Sequence, residues 1–128
     1  MRYPRKGIVM FILVGLILVV GTVQHVMGAG DVEAGAKLYQ TRCSPCHGPD
    51  GKAATPTAQA LNPKPRDHTD GAYMNQLSNE HLAKVTKNGG PAVGKSPIMP
   101  AHTDLNDQQI EDVIAFVRKL AVPPYSGQ

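Results

Sequence analysis

Hydrophobic and polar positions divide the chain at Asp31. Before it, residues 8–23 form an uncharged apolar run behind Arg2, Arg5 and Lys6; after it, apolar residues recur in ones and twos among polar ones. Asp31 is placed to cap a helix through Ala34 toward Arg42, with Val32, Leu38 and Tyr39 as its apolar contacts and Gly35 on the face of Tyr39. Over residues 48–72, Asn62-Pro63, Pro65 and Gly71 break any period and predict a long ordered loop. Ser78 opens a second helix with Leu82 and Val85 inward, and Asn88-Gly89-Gly90 should stop it with a left-handed C-terminal cap. A loop follows over 91–103. Asn106 and Gln109 then resemble a capping box, and Ile110, Val113, Ile114, Val117 and Leu120 repeat at helical spacing until Pro123-Pro124. No alternating run is long enough for a strand and there is no internal repeat, so the pattern predicts an all-α domain of three or more helices. Its bounds are 31–122, with a leader over 1–30 and a tail over 123–128.

Charge changes this picture at one end only. The chain has 13 Lys and Arg against 10 Asp and Glu, but Arg2, Arg5 and Lys6 precede the apolar run, so from Asp31 onward the formal charge is zero. A nucleic-acid partner is thereby excluded, since the folded domain carries no excess of cations. Cations ahead of an apolar run mark export, and the positive-inside rule sends Asp31 and all that follows across the membrane, into a periplasmic setting. Residues 8–23 are long for a signal core and barely long enough to span a bilayer, so a cleaved signal peptide and a retained transmembrane anchor both remain open. Leu, Ile, Val and Phe number 16 of the 98 residues from Asp31 onward, too few to fill a core unaided. A bulky cofactor would supply the missing apolar volume.

The only two cysteines stand in Cys43-Ser44-Pro45-Cys46-His47, the C-x-x-C-H pattern of covalent haem attachment. Two cysteines three apart at the end of a helix reach the two vinyl groups of one porphyrin edge, and the adjacent His47 places an imidazole nitrogen on the iron. A structural zinc site would need four protein ligands, and only His68, His81, His102 and unpaired carboxylates remain to complete it. A thioredoxin-type redox centre would need a parallel sheet around the cysteines.

With these residues in place, the stretch from Asp31 to Leu120 resembles the class I c-type cytochromes of small bacterial type. Four segments carry the likeness: the helix with Gly35 and Tyr39, the Cys43 to Gly48 attachment site, Asn88-Gly89-Gly90 through Ile98-Met99-Pro100, and Ile114-Ala115-Phe116-Val117-Arg118. The resemblance implies a cytochrome c-like domain wrapped around one covalent haem c, with Phe116 packed against Gly35 and Tyr39. It also implies a second axial ligand from a loop before the last helix, which here is Met99, between Pro97 and Pro100. The expected cofactor-binding residues are therefore Cys43, Cys46, His47 and Met99, with His47 and Met99 on the iron. Met74 is the competing thioether and reads better as a wall of the haem pocket; His68, His81 and His102 read as surface residues, and Lys64 and Arg66 as candidate partners of the haem propionates.

The implied role is electron transport between redox partner proteins, with no catalysis of its own. Two alternatives stay open: a cytochrome subunit of a membrane-bound oxidoreductase complex, and a haem sensor or peroxidase whose Met99 detaches.

Overall fold

The computed structural model describes residues 29–127, so the apolar run 8–23, expected to be a signal or anchor, lies outside the described residues. Asp31 caps the first helix as expected, accepting from Glu33 N at 2.8 Å and Ala34 N at 3.1 Å to open α1 (Val32–Arg42). A one-turn helix, α2 (Ser44–His47), follows directly and carries the C-x-x-C-H motif. The stretch expected to be one long loop holds two further short helices, α3 (Pro56–Ala60) and α4 (Gly71–Met74). Five and four residues are too few to show a hydrophobic period, and only caps betray these helices. Thr55 accepts from Ala58 N ahead of Pro56, and Asp70 accepts from Tyr73 N.

Ser78 caps α5 (Asn79–Asn88) through His81 N. Gly89 ends it at φ 80° and ψ 172°, an extended backbone of positive φ instead of the left-handed helical cap expected. The 3₁₀ turn Gly90–Val93 comes next, inside the segment expected to be loop. α6 (Asp107–Leu120) opens with the expected capping box, Asn106 accepting from Gln109 N and Gln109 accepting from Asn106 N. Among the described residues there is no strand, only an isolated parallel bridge between Asp70 and Val122, and no helix long and apolar enough to cross a membrane.

The main packing is α1 across α6. Gly35 makes it possible: a Cβ there would lie 1.9 Å from the Asp112 carbonyl oxygen, so only a residue without a side chain lets the two backbones touch. Asp112 is the residue whose backbone meets Gly35 most closely, and Phe116, one turn further along, packs its ring 5.0 Å from that of Tyr39, the pairing the resemblance implies. Ile110, Val113, Ile114 and Val117 fill the buried side of α6, each contributing about 1.5–3 kcal/mol by leaving water.

Arg118 is buried and ties α6 to the end of α4, the turn after it and the first residue of α5. Its Nη1 donates to Met74 O at 2.7 Å, Nη2 to Leu77 O at 2.5 Å and Nε to Asn79 Oδ1 at 2.9 Å. Tyr125 lies against the same guanidinium, 3.8 Å from ring centroid to Cζ. Asn75 Nδ2 donates to Pro123 O at 3.0 Å, so the tail is laid back over α4.

Candidate cofactor site

Cys43 ends α1 and starts α2, its N–H donating to Tyr39 O at 2.9 Å. Ser44 Oγ donates to Gln40 O at 2.5 Å, Pro45 supplies a preset φ inside the first turn of α2, and Gly48 closes that turn at φ 80°. The motif is thus fixed by its own backbone over six residues. Cys43 and Cys46 are free and partly buried. Burial, then the neighbouring Cys46, pushes the Cys43 thiol up to about 11, which keeps it neutral.

His47 is buried, and burial lowers its pKa below the ordinary imidazole value. Its Nδ1 lies 2.9 Å from Arg66 O. A carbonyl only accepts, so Nδ1 carries the proton and Nε2 is left with its lone pair available to a metal. This bond comes from the loop whose Lys64 and Arg66 were expected near the propionates. There Lys64 Nζ donates to Gln59 Oε1 at 2.6 Å, and the Arg66 guanidinium sits 3.8 Å over the Tyr73 ring.

His47, Cys43 and Cys46 line a cavity of about 600 Å³, and Met99 and Met74 line the same cavity. That volume falls in the usual range of cofactor sites, about 300–1,000 Å³. Met99 is held through its backbone. Gly90 N donates to Met99 O at 3.1 Å, Lys95 N to Gly90 O at 2.9 Å, and Met99 N to Ser96 O at 3.3 Å. A Cβ on Gly90 would lie 2.0 Å from Ser96 O, so the glycine is the seat on which the Met99 loop rests. Met74 is 1 % exposed and lines the same cavity.

Three histidines read as surface residues are placed otherwise. His81 and His102 are partly buried on the cavity lining, because α5 and the Met99 loop both face it. His68 is stacked on His47, centroids 4.2 Å apart and planes 16° apart, and its Nδ1 lies 3.0 Å from the Tyr39 hydroxyl. Burial, then His47 and Arg66 nearby, holds His68 well below the ordinary imidazole pKa. The loop carrying His68 has no hydrophobic period, so nothing in the sequence marks this contact.

These groups fit a haem: two free cysteines adjoin an imidazole whose Nε2 is left available, and a thioether lies on the same apolar cavity. The zinc alternative lacks its geometry, for among the described residues no three His, Cys, Asp or Glu side chains converge to hold a metal ion. Every charged side chain on the lining is a cation: Arg42, Lys64, Arg66 and Lys95.

Comparison with known proteins bears on the same residues. A family model described as cytochrome c matches residues 32–121. Cytochrome c6 of Bryopsis maxima is 31% identical over 91 residues, covering 70% of this chain and 92% of that protein. A chain of the Kuenenia stuttgartiensis reducing HAO-like protein complex superposes with a TM-score of 0.62 at 24% identity. The match covers 73% of this chain and 44% of that one, a likeness of fold alone.

Proposed function

The chain belongs to the cytochrome c family and carries one covalently bound haem c, and from that premise we propose that it passes single electrons between redox partner proteins on the periplasmic side of a bacterial inner membrane. Cys43 and Cys46 would hold the haem through two thioethers, each made by adding one S–H across one vinyl group, which forms a C–S and a C–H bond and releases nothing. His47 Nε2 and Met99 Sδ, both on the cavity, would hold its iron. When bound, the group supplies a one-electron ferric–ferrous couple.

The observation that carries this reading is the His47 Nδ1 bond to Arg66 O on a cavity that Met99 shares. It fixes a neutral, oriented imidazole before any metal arrives, and a ligand held in place costs little reorganisation when the iron changes charge. Two protein ligands leave no coordination position for oxygen or peroxide, which favours a carrier over an enzyme. The cations ahead of residues 8–23 support export. A retained run would hold the domain beside membrane-bound partners, an oxidoreductase complex among them, and a cleaved one would free it to diffuse.

Denaturing the purified protein and extracting it with acid acetone tests the attachment. Colour stays with the polypeptide, and the intact mass shows one added haem together with the fate of the leader. Colour moving into the solvent overturns the reading.

A further inference from the structure

His68 has no part in the reading above, yet it is the side chain laid flat on His47. One hydrogen bond from Nδ1 fixes where that nitrogen points and still lets the ring tilt. A second ring, 4.2 Å away and 16° from parallel, resists the tilt. His68 is itself held at two points, its N–H donating to Gly51 O at 2.8 Å and its Nδ1 paired with the Tyr39 hydroxyl at 3.0 Å. Tyr39 is fully buried and packs on Phe116 of α6, with ring centroids 5.0 Å apart. A continuous column of rings therefore runs from the α1–α6 crossing through Tyr39 and His68 to His47.

An apolar side chain would fill this space at no polar cost. An imidazole enclosed here needs a partner for Nδ1, and the Tyr39 hydroxyl provides it. We propose that His68, held by Tyr39, is a positioning residue that sets the plane of the His47 imidazole, and through that plane the electronic state of the bound iron. The proposal rests on His47 being an axial ligand. Partners beyond a metal's direct ligands act in this way, orienting the imidazole that binds.

The test uses the haem-loaded protein and three variants, His68→Leu, His68→Phe and Tyr39→Phe. Intact mass and the low-spin spectrum of the unchanged protein come first. A protein without attached haem, or with iron lacking an imidazole, overturns the functional reading and is told apart at this step. The proton spectrum of the oxidised form then reports the order of the four haem-methyl resonances, which follows the axial imidazole plane, alongside the reduction potential. His68→Leu changes that order and shifts the potential, and His68→Phe, which keeps a ring face, restores the order. Tyr39→Phe removes one hydroxyl from a packed ring, keeps the fold, and moves the methyls in the direction of His68→Leu. The proposal is overturned if the order stays unchanged in Tyr39→Phe or in a folded His68→Leu, or if Ile110→Ala, a change in the same core at a residue that is not one of the stacked rings, gives the same change.

Discussion

The two sides of the haem cavity are held in opposite ways. On the His47 side, the proposed ligand and both cysteines sit within five consecutive residues, fixed by the end of α1 and the single turn of α2, and braced by Arg66 O. On the Met99 side the proposed ligand rides a loop seated on Gly89 and Gly90, with Ile98 beside it 48% exposed. One side is local and encoded over a few residues; the other depends on backbone surfaces meeting across ten. Damage to the first should cost the fold or the cofactor, and damage to the second should cost only one bond to the iron.

The strongest test of that contrast lies behind the His47 side. Gly35→Ala forces a Cβ onto the Asp112 carbonyl and parts α1 from α6; we expect a loss of about 3 kcal/mol or more, read as a fall in the denaturant midpoint. A midpoint within error of the parent would show that the crossing is not the keystone. Next in size, Gly90→Ala drives a side chain against Ser96 O and should dislodge the Met99 loop while haem stays attached. Its spectrum should match that of Met99→Ala: the sulfur-to-iron charge-transfer band vanishes, the potential drops and carbon monoxide binds. Met74→Ala should keep the band, and a band that survives in Met99→Ala would reassign the ligand.

A smaller effect concerns His102, whose N–H donates to Thr86 O where the Met99 loop returns to α5. Burial, outweighing nearby Asp104, lowers its pKa below the ordinary 6.5. A depressed folded value means the unfolded chain binds the proton first. The contribution is therefore intact above about pH 6.5 and is lost as pH falls below it. Thermal midpoints taken across that range should slope less in His102→Gln than in the parent; equal slopes would remove His102 from the account. Smallest of all, Arg42→Ala breaks the exposed pair with Asp104, which links the end of α1 to the Met99 side at 2.6 Å. The expected loss is about 0–1 kcal/mol, fading with added salt, and a larger loss would mean the two sides are coupled through the surface.

The same contrast governs what the sequence discloses. α1, α5 and α6 are legible because each couples a side-chain cap, at Asp31, Ser78 or Asn106, to apolar residues at helical spacing. Cys43, Cys46 and His47 are legible because their chemistry needs a fixed short spacing. Asn88-Gly89-Gly90 reads as a helix stop, yet the reason for two glycines is the Ser96 and Met99 backbone lying against them, a contact that only the folded chain contains. His68 was hidden for a similar cause: its ring meets His47 from 21 positions away, through a loop without a period. α3 and α4 escaped because a helix of one turn buries too little to leave a pattern.

The Asp31 N–H reaches Asp112 Oδ1 at 2.8 Å across 81 residues of chain. That contact is the seam of a closed ring, and drawing so long a flexible segment shut costs on the order of 4 kcal/mol of chain entropy. Contacts so distant in sequence make for slow folding, because the cost falls due before the packing of α1 on α6 can repay it. Whatever gathers the middle of the chain first shortens the span still open. A group bonded at Cys43 and Cys46 and held by Met99 as proposed would tie off most of that span, leaving only the short stretches at either end to be drawn together. The haem would thus set the speed at which the ring closes as well as filling its centre.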